Sequence, residues 1–314
     1  MSEPPDPVIL QTHGLSKRYG QQLALDSLDL SVRRGEVFGY IGPNGAGKTT
    51  TFRILSGLLE PTAGKAVIDG HDVTTDRDLI KQLVGYLPDN FGVYPTLRAW
   101  EYLDFFAAAH RIPKAQRARR LDECLAIASA TEYRDKFMGA LSRGMKQRVG
   151  IAKTLLHDPQ VLILDEPAAT IDPRARVHMR QLLRDLAKLG KAVLVSSHIL
   201  HELGDVCDTV GILNAGRLVA CGPIDQIMRT VRQKRLIEIR VLQFAREARA
   251  VLAQAPGQWE SVAGEASPDT LRYDVDADDE QLAQALGLLL KRGIPVAGYY
   301  EVPADLEDAF MRLT

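Results

Sequence analysis

Three short stretches carry residue types whose spacing suits phosphate chemistry. The first, "GPNGAGKTT", runs from Gly42 to Thr50 and fits the pattern GxxxxGKS/T over Gly42, Pro43, Asn44, Gly45, Ala46, Gly47, Lys48 and Thr49. It follows the apolar run "VFGYI" and opens a helical pattern, which is the context this pattern needs. Glycines let backbone N–H groups turn toward phosphate oxygens. A helix N-terminus adds positive potential. Lys48 would bring a point charge to the β- and γ-phosphates, and Thr49 a hydroxyl for Mg2+. The competing reading, an ordinary glycine turn, leaves the strand-before and helix-after context unexplained.

The second stretch, "VLILDEP", is a short apolar strand ending in two carboxylates. Beside the phosphate loop, Asp165 can hold Mg2+ through water. Glu166, one residue on, can face the γ-phosphate side and act as general base for an attacking water. Two acids that merely end a strand and cap a loop are the alternative. The third stretch, "LSRGMKQR", puts Ser142 and Gly144 at the opening of a basic helix. The chain thus carries a second helix start suited to an anion.

These residues need elements to hold them. Residues 8–33 read as strands, with "LDLSV" alternating at period two. "GEVFGYIG" is a short apolar strand with a glycine-rich exit, and "KTTTFRILSGLL" is helical up to Pro61. "GKAVIDG" is a strand ending in an Asp69-Gly70 turn signal, and "VGYLP" a buried strand. From 95 to about 157 the pattern turns helical and lacks strand alternation, giving a candidate helical subdomain. Strand and helix then alternate: "VLILDE", "DPRARVHMRQLLRDLAKLG" with an Asp cap and a Pro at the first helical position, "KAVLVSS", the helix "HILHELGDVCD" and a hairpin, "TVGILNAGRLVACG". This order predicts an α/β core with a mainly parallel sheet. From about 233 the order becomes strand, helix, strand, strand, helix, strand, as in ferredoxin-like α+β domains, with a last helix in "ADLEDAFMRL". The expected division is 1–232 and 233–314.

Composition narrows the function class. The 314 residues are 46% hydrophobic and 25% charged, with a net charge of -1, so no global charge favours nucleic acid. Lys114, Arg117, Arg119 and Arg120 read as a solvated helix face. The three cysteines, Cys124, Cys207 and Cys221, show no zinc or CxxC spacing. The first ten residues lack the basic and apolar regions of a signal peptide, and no run approaches the ~18 apolar residues of a spanning helix.

The motifs together resemble an ATP-binding cassette (ABC) ATPase over roughly residues 8–230. Tyr19, in "KRYG", matches the aromatic residue that stacks on adenine. Asp89, after "GYLP", stands at the family's Q-loop position. "LSRGMKQR" resembles the signature LSGGQ-QR, Asp172 the D-loop, and His198, in "SSHIL", the switch histidine. The resemblance implies the fold: a P-loop core with a mainly parallel sheet, an antiparallel β subdomain and an inserted helical subdomain. It also implies that two subunits pack head to tail. Ser142, Arg143 and Gly144 of one would then face the γ-phosphate held by Lys48 of the other, with Mg2+ near Thr49, Asp165 and Asp89.

Implied partners are ATP, a second copy or a homologous ATPase subunit, and a separate transmembrane permease, with the chain peripheral on the cytoplasmic face. The acidic Q-loop and the C-terminal extension resemble the bacterial branch that serves type-2 exporters. Four departures stand out. Arg143 and Met145 replace Gly and Gln in the signature, Asp89 replaces Gln, and the D-loop reads Ala169-Thr170-Ile171-Asp172. Lys48, Asp165, Glu166 and His198 all remain, so hydrolysis is expected. An ATP-gated adaptor and a soluble non-transport ABC ATPase are the alternatives. Asp89 has its own alternative, a simple turn cap at Pro88-Asp89-Asn90.

Overall fold

The computed structural model describes residues 7–168, 173–198, 203, 206–227, 235–262 and 269–302. The chain forms two compact units, Met1–Ile224 and Asp225–Thr314. Among the described residues no helix is long and apolar enough to cross a membrane. The expected helices over "HILHELGDVCD" and "ADLEDAFMRL", and the Asp172 cap, lie largely or wholly outside the described residues.

The first unit contains two sheets. Strands β1 (Val8–Tyr19), β2 (Gln22–Arg33), β4 (Ala63–Ile68) and β5 (His71–Asp72) form an antiparallel sheet in the order β2-β1-β4-β5. In β2 alternate residues Leu28, Leu30 and Val32 are buried, as period two requires of a half-buried strand. The second sheet has six strands in the order β10-β9-β3-β8-β7-β6. These are β3 (Val37–Ile41), β6 (Val84–Leu87), β7 (Val161–Leu164), β8 (Ala192–Ser197), β9 (Thr209–Asn214) and β10 (Arg217–Pro223). Strands β9, β3, β8, β7 and β6 pair in parallel, and β10 closes one edge antiparallel. Strands β3, β7 and β8 are buried along their whole length, which is why they read as continuous apolar runs.

Helix α1 (Lys48–Leu55) joins one core with both sheets through Phe52, Ile54 and Leu55. Tyr40 of β3 stacks on Phe52, and its hydroxyl meets that of Thr51 at 3.1 Å. A short helix, α2 (Arg77–Leu83), leads into β6. The helical subdomain comprises α3 (Ala99–Ala109), α4 (Lys114–Ile127) and α5 (Arg143–Leu155), which pack on one another. Part of the basic cluster on α4 departs from the solvated face expected of it. Arg120 is half-buried and donates to the carbonyls of Leu155 and Leu156, satisfying the C-terminal end of α5. Arg117 likewise turns back to the carbonyl of Ile112. Helix α6 (Pro173–Lys188) packs against β8 and β3.

The second unit has its own sheet, in the order β12-β13-β11-β14, antiparallel throughout. Its strands are β11 (Arg235–Val241), β12 (Gln258–Ser261), β13 (Thr270–Asp276) and β14 (Val296–Val302), with α7 (Ala245–Leu252) and α8 (Asp279–Lys291) between them. Ile237, Ile239, Val241, Leu271, Tyr273 and Val275 alternate onto one face and pack against Leu252, Leu282, Ala285 and Leu289. Helix α8 starts with a capping box between Asp278 and Gln281. The element order and sheet order are those of a split β-α-β unit, as the pattern after 233 predicts.

Candidate active site

The parallel pairing decides where the chemistry sits. Ile41 lies beside Ser197, Leu164 beside Val195, and Leu87 beside Leu164. Strands β3, β8, β7 and β6 therefore end at one sheet edge, where open α/β sheets place their ligand sites. The loop from Gly42, the pair Asp165-Glu166, His198 and Asp89 all follow those strand ends.

The loop between β3 and α1 uses its glycines in different ways. Gly45 and Gly47 take φ of 82° and 111°, which side chains disfavour. Gly42 faces the carbonyl of Leu213 so closely that a Cβ would stand 2.3 Å from it. Gly47 precedes α1 directly, and no acid occupies the first turn. The helix start therefore keeps its positive end toward the cleft. The Lys48 ammonium is buried. It donates to the carbonyl oxygens of Gly42 at 2.6 Å and Pro43 at 3.3 Å and lies 3.5 Å from Glu166 Oε1.

The two acids that end β7 occupy different surroundings. Asp165 is buried, accepts from Thr49 Oγ1 at 2.8 Å through Oδ2, and from Ser196 Oγ at 2.7 Å through Oδ1. Burial pushes its carboxyl above the usual range, although the Ser196 and Thr49 bonds pull the other way. Glu166 adopts a left-handed φ of 47°, and its N–H donates to Ser196 Oγ at 2.8 Å. Its Oε2 meets His198 Nδ1 at 2.8 Å. A non-glycine residue held there by its neighbours is the kind of strain found at working sites.

These groups line a cleft of about 580 Å³, within the range of small-molecule sites. Of the sequence-predicted residues, Tyr19, Pro43, Asn44, Gly45, Gly47, Lys48, Thr49 and Thr50 line it. So do Asp89, Asp165, Glu166 and His198. Gly42 and Ala46 shape the loop from behind, with Ala46 buried. The Tyr19 ring stands half-exposed at the rim with Lys17 Nζ 5.4 Å from its centroid. Ser142, Arg143 and Gly144 do not line the cleft. Ser142 caps α5 by accepting from the N–H of Met145 at 3.3 Å. Asp172 lies outside the described residues.

Sequence reasoning passed over Ser196, which joins both acids. The pair "SS" directly before His198 was its signal. It also passed over Gln22 and Ala24, which line the cleft from β2.

Thr49 and Asp165 offer a hydroxyl and a carboxylate oxygen within 2.8 Å of each other. Hard oxygen donors in small number suit Mg2+, which keeps most of its waters. Among the described residues no group of three or more His, Cys, Asp or Glu gathers as a metal cage. The arrangement can hold a polyphosphate at the loop and helix start, and can present a partly exposed carboxylate to a water.

Comparison with known proteins agrees. The family model described as ABC transporter matches residues 25–169. The Nod factor export ATP-binding protein I of Ralstonia nicotianae is 34% identical over 99% of this chain and 97% of its own length. The bacitracin transport ATP-binding protein of Bacillus licheniformis is 34% identical, covering 97% of each. A solved dimeric structure of a bacterial ABC transporter cassette superposes with a TM-score of 0.63 at 26% identity, covering 69% of this chain and 99% of that one. The chain belongs to the ABC transporter family, as an ATP-binding protein of the ATP-hydrolysing kind.

Proposed function

We propose that this chain, paired with a second copy or a homologous ATPase subunit, closes head to tail around ATP and powers export through a separate membrane permease. The observation that carries this reading is the separation of two anion-suited features. The cleft gathers Lys48, Thr49, Asp165, Glu166 and His198, while the capped start of α5 is left out of it. A helix start with its own serine cap and no acid in its first turn suits an anion that its own cleft does not supply. The dimeric cassette structure supports pairing. The export and transport roles in the names of the full-length relatives support the coupling.

In this reading Tyr19 stacks on the adenine and the 42–50 loop wraps the phosphates. Lys48 exchanges its loop carbonyls for phosphate oxygens. Thr49 and Asp165 would hold Mg2+, which offsets phosphate charge when bound. Asp89 would meet that ion through water rather than directly. Glu166 takes a proton from a water whose oxygen attacks the γ-phosphorus, and the bond to the β-bridging oxygen breaks. His198 holds the Glu166 carboxylate through Nδ1. Ser142, Arg143 and Gly144 act on the γ-phosphate of the other subunit, and Asp172 belongs to the same interface.

The test uses Glu166→Gln. An amide cannot take the proton, so turnover should fall by about 10²–10⁴-fold while ATP binding persists. With MgATP the variant should run as a dimer in size-exclusion chromatography, and adding Ser142→Arg should return it to monomer. A Glu166→Gln protein that hydrolyses ATP normally, or binds ATP and stays monomeric, would sink the reading.

A further inference from the structure

Two of the positions that depart from the family pattern touch each other. Arg143 Nη2 lies 3.2 Å from Asp89 Oδ1. The first opens α5, the second follows β6, and 54 residues separate them. Asp89 accepts from no backbone N–H of the turn that follows it, so the turn-cap reading finds no support.

The charge around the cleft explains why such a pair matters. Three carboxylates line it, those of Asp89, Asp165 and Glu166, against one lysine, Lys48, and one histidine, His198. Asp165 is held by Thr49 and Ser196, and Glu166 faces Lys48 and His198. Asp89 has no partner inside the cleft. Its counter-charge comes from outside, from α5. Arriving ATP adds several negative charges to a site already rich in them, and an uncompensated Asp89 would repel its phosphates.

The Asp89 loop is also fastened in place. Phe91 packs so closely on α5 that a Cβ at Gly150 would stand 2.6 Å from its Cζ. Lys153, one turn on, holds its ammonium 5.4 Å from the Phe91 ring centroid. Polar contact at Arg143 and aromatic contact at Gly150 thus fix the loop along one side of the helix.

We propose that Arg143 is a positioning residue for its own chain's nucleotide: it neutralises Asp89 in the free subunit, so that an aspartate at this loop remains compatible with ATP entry. In this proposal the two departures act together, as one charge pair. Both side chains are about half-exposed, at 57% and 53%. Such a pair contributes little to stability, and its effect lies in the local potential, which salt screens. On closure the guanidinium becomes free to turn to the other subunit's phosphate. This last point rests on the function proposed above; the first does not need it.

The experiment titrates a fluorescent ATP analogue into dilute full-length chain, with the monomeric state checked by sedimentation. Arg143→Gln should weaken binding about three- to tenfold at low ionic strength, the size of one unscreened charge contact in a watery cleft. The loss should shrink at 0.5 M salt, where the Debye length falls to about 4 Å from about 30 Å at 0.01 M. Arg143→Lys should keep most of the affinity, and Asp89→Asn should restore it in the double variant. A merely structural role would show neither salt dependence nor rescue. Unchanged binding by Arg143→Gln, or a double variant no tighter than the single, overturns the proposal. Lys48→Ala separates the layers. If it leaves binding unchanged, the phosphate placement fails, and the proposal with it. If it abolishes binding while Arg143→Gln does nothing, only the matched pair fails.

Discussion

Ser196 joins the two acids that end β7, and its position makes it more than a filler of the core. Its hydroxyl donates to Asp165 Oδ1 and accepts from the N–H of Glu166, and the residue is 1% exposed. One bond satisfies a buried carboxylate. The other holds the backbone of Glu166 in a left-handed conformation that a non-glycine residue leaves readily. Ser196→Ala removes both bonds and leaves a buried acceptor short of a partner. Such a loss costs about 1–3 kcal/mol, which for a protein of this size lowers Tm by roughly 2–4 °C per kcal/mol. ATP affinity should change little, because the Ser196 hydroxyl bonds to Asp165 and to the N–H of Glu166 rather than to the phosphate loop. Turnover should fall further than affinity, because Glu166 loses its fixed direction. Thermal melting and steady-state hydrolysis measured together decide the matter. A lowered Tm with an unchanged kcat would reduce Ser196 to a structural support.

At the scale of elements, what could be read from the sequence was local. Period-two alternation marked β2, apolar runs marked β3, β7 and β8, and the glycine spacing marked the 42–50 loop, each within about ten residues of itself. The contacts that were missed join distant segments. Ser196 and Asp165 are 31 residues apart, and Arg143 and Asp89 are 54 apart. Sheet order and the docking of α5 bring them together, and no periodicity encodes either. The packing of Phe91 on Gly150 is of the same kind, and it predicts a change of sign. A glycine inside a helix normally gains about 1 kcal/mol on replacement by alanine. Here the added Cβ would meet Phe91 at 2.6 Å and Leu87 at 3.0 Å, and overpacking of that kind costs about 1–3 kcal/mol. Gly150→Ala should therefore lower Tm and, by displacing the Asp89 loop, lower turnover. In a Phe91→Ala background the same substitution should raise Tm relative to Phe91→Ala alone. If Gly150→Ala stabilises the otherwise unaltered protein, the fastening of the loop to α5 is not tight enough to position Asp89.

At the scale of the whole molecule, each of the two units holds a hydrophobic core of its own among the described residues. One is built from Ile9 through Leu213 and includes both sheets and α1. The other is built from Ile237 through Ile294 and belongs to the second sheet and its two helices. Every residue of the nucleotide cleft lies in the first unit. Domains with complete cores fold independently as a rule, and the first unit is long enough to bury a sizeable fraction of its surface. A chain ending at residue 232, the boundary expected from the sequence, should therefore remain soluble and unfold in one cooperative transition. It should bind a fluorescent ATP analogue within about a factor of two of the full chain, a change of under 1 kcal/mol. Its effects should appear in catalytic turnover or in pairing with the permease, where a second unit can act without touching the phosphates. The decisive comparison is affinity against fold. A truncated chain that melts cooperatively yet no longer binds ATP would show that residues beyond 232 complete the cleft. A chain that aggregates while the full-length protein does not would show that the first core is not sufficient alone, and either result would remove the independence of the two units.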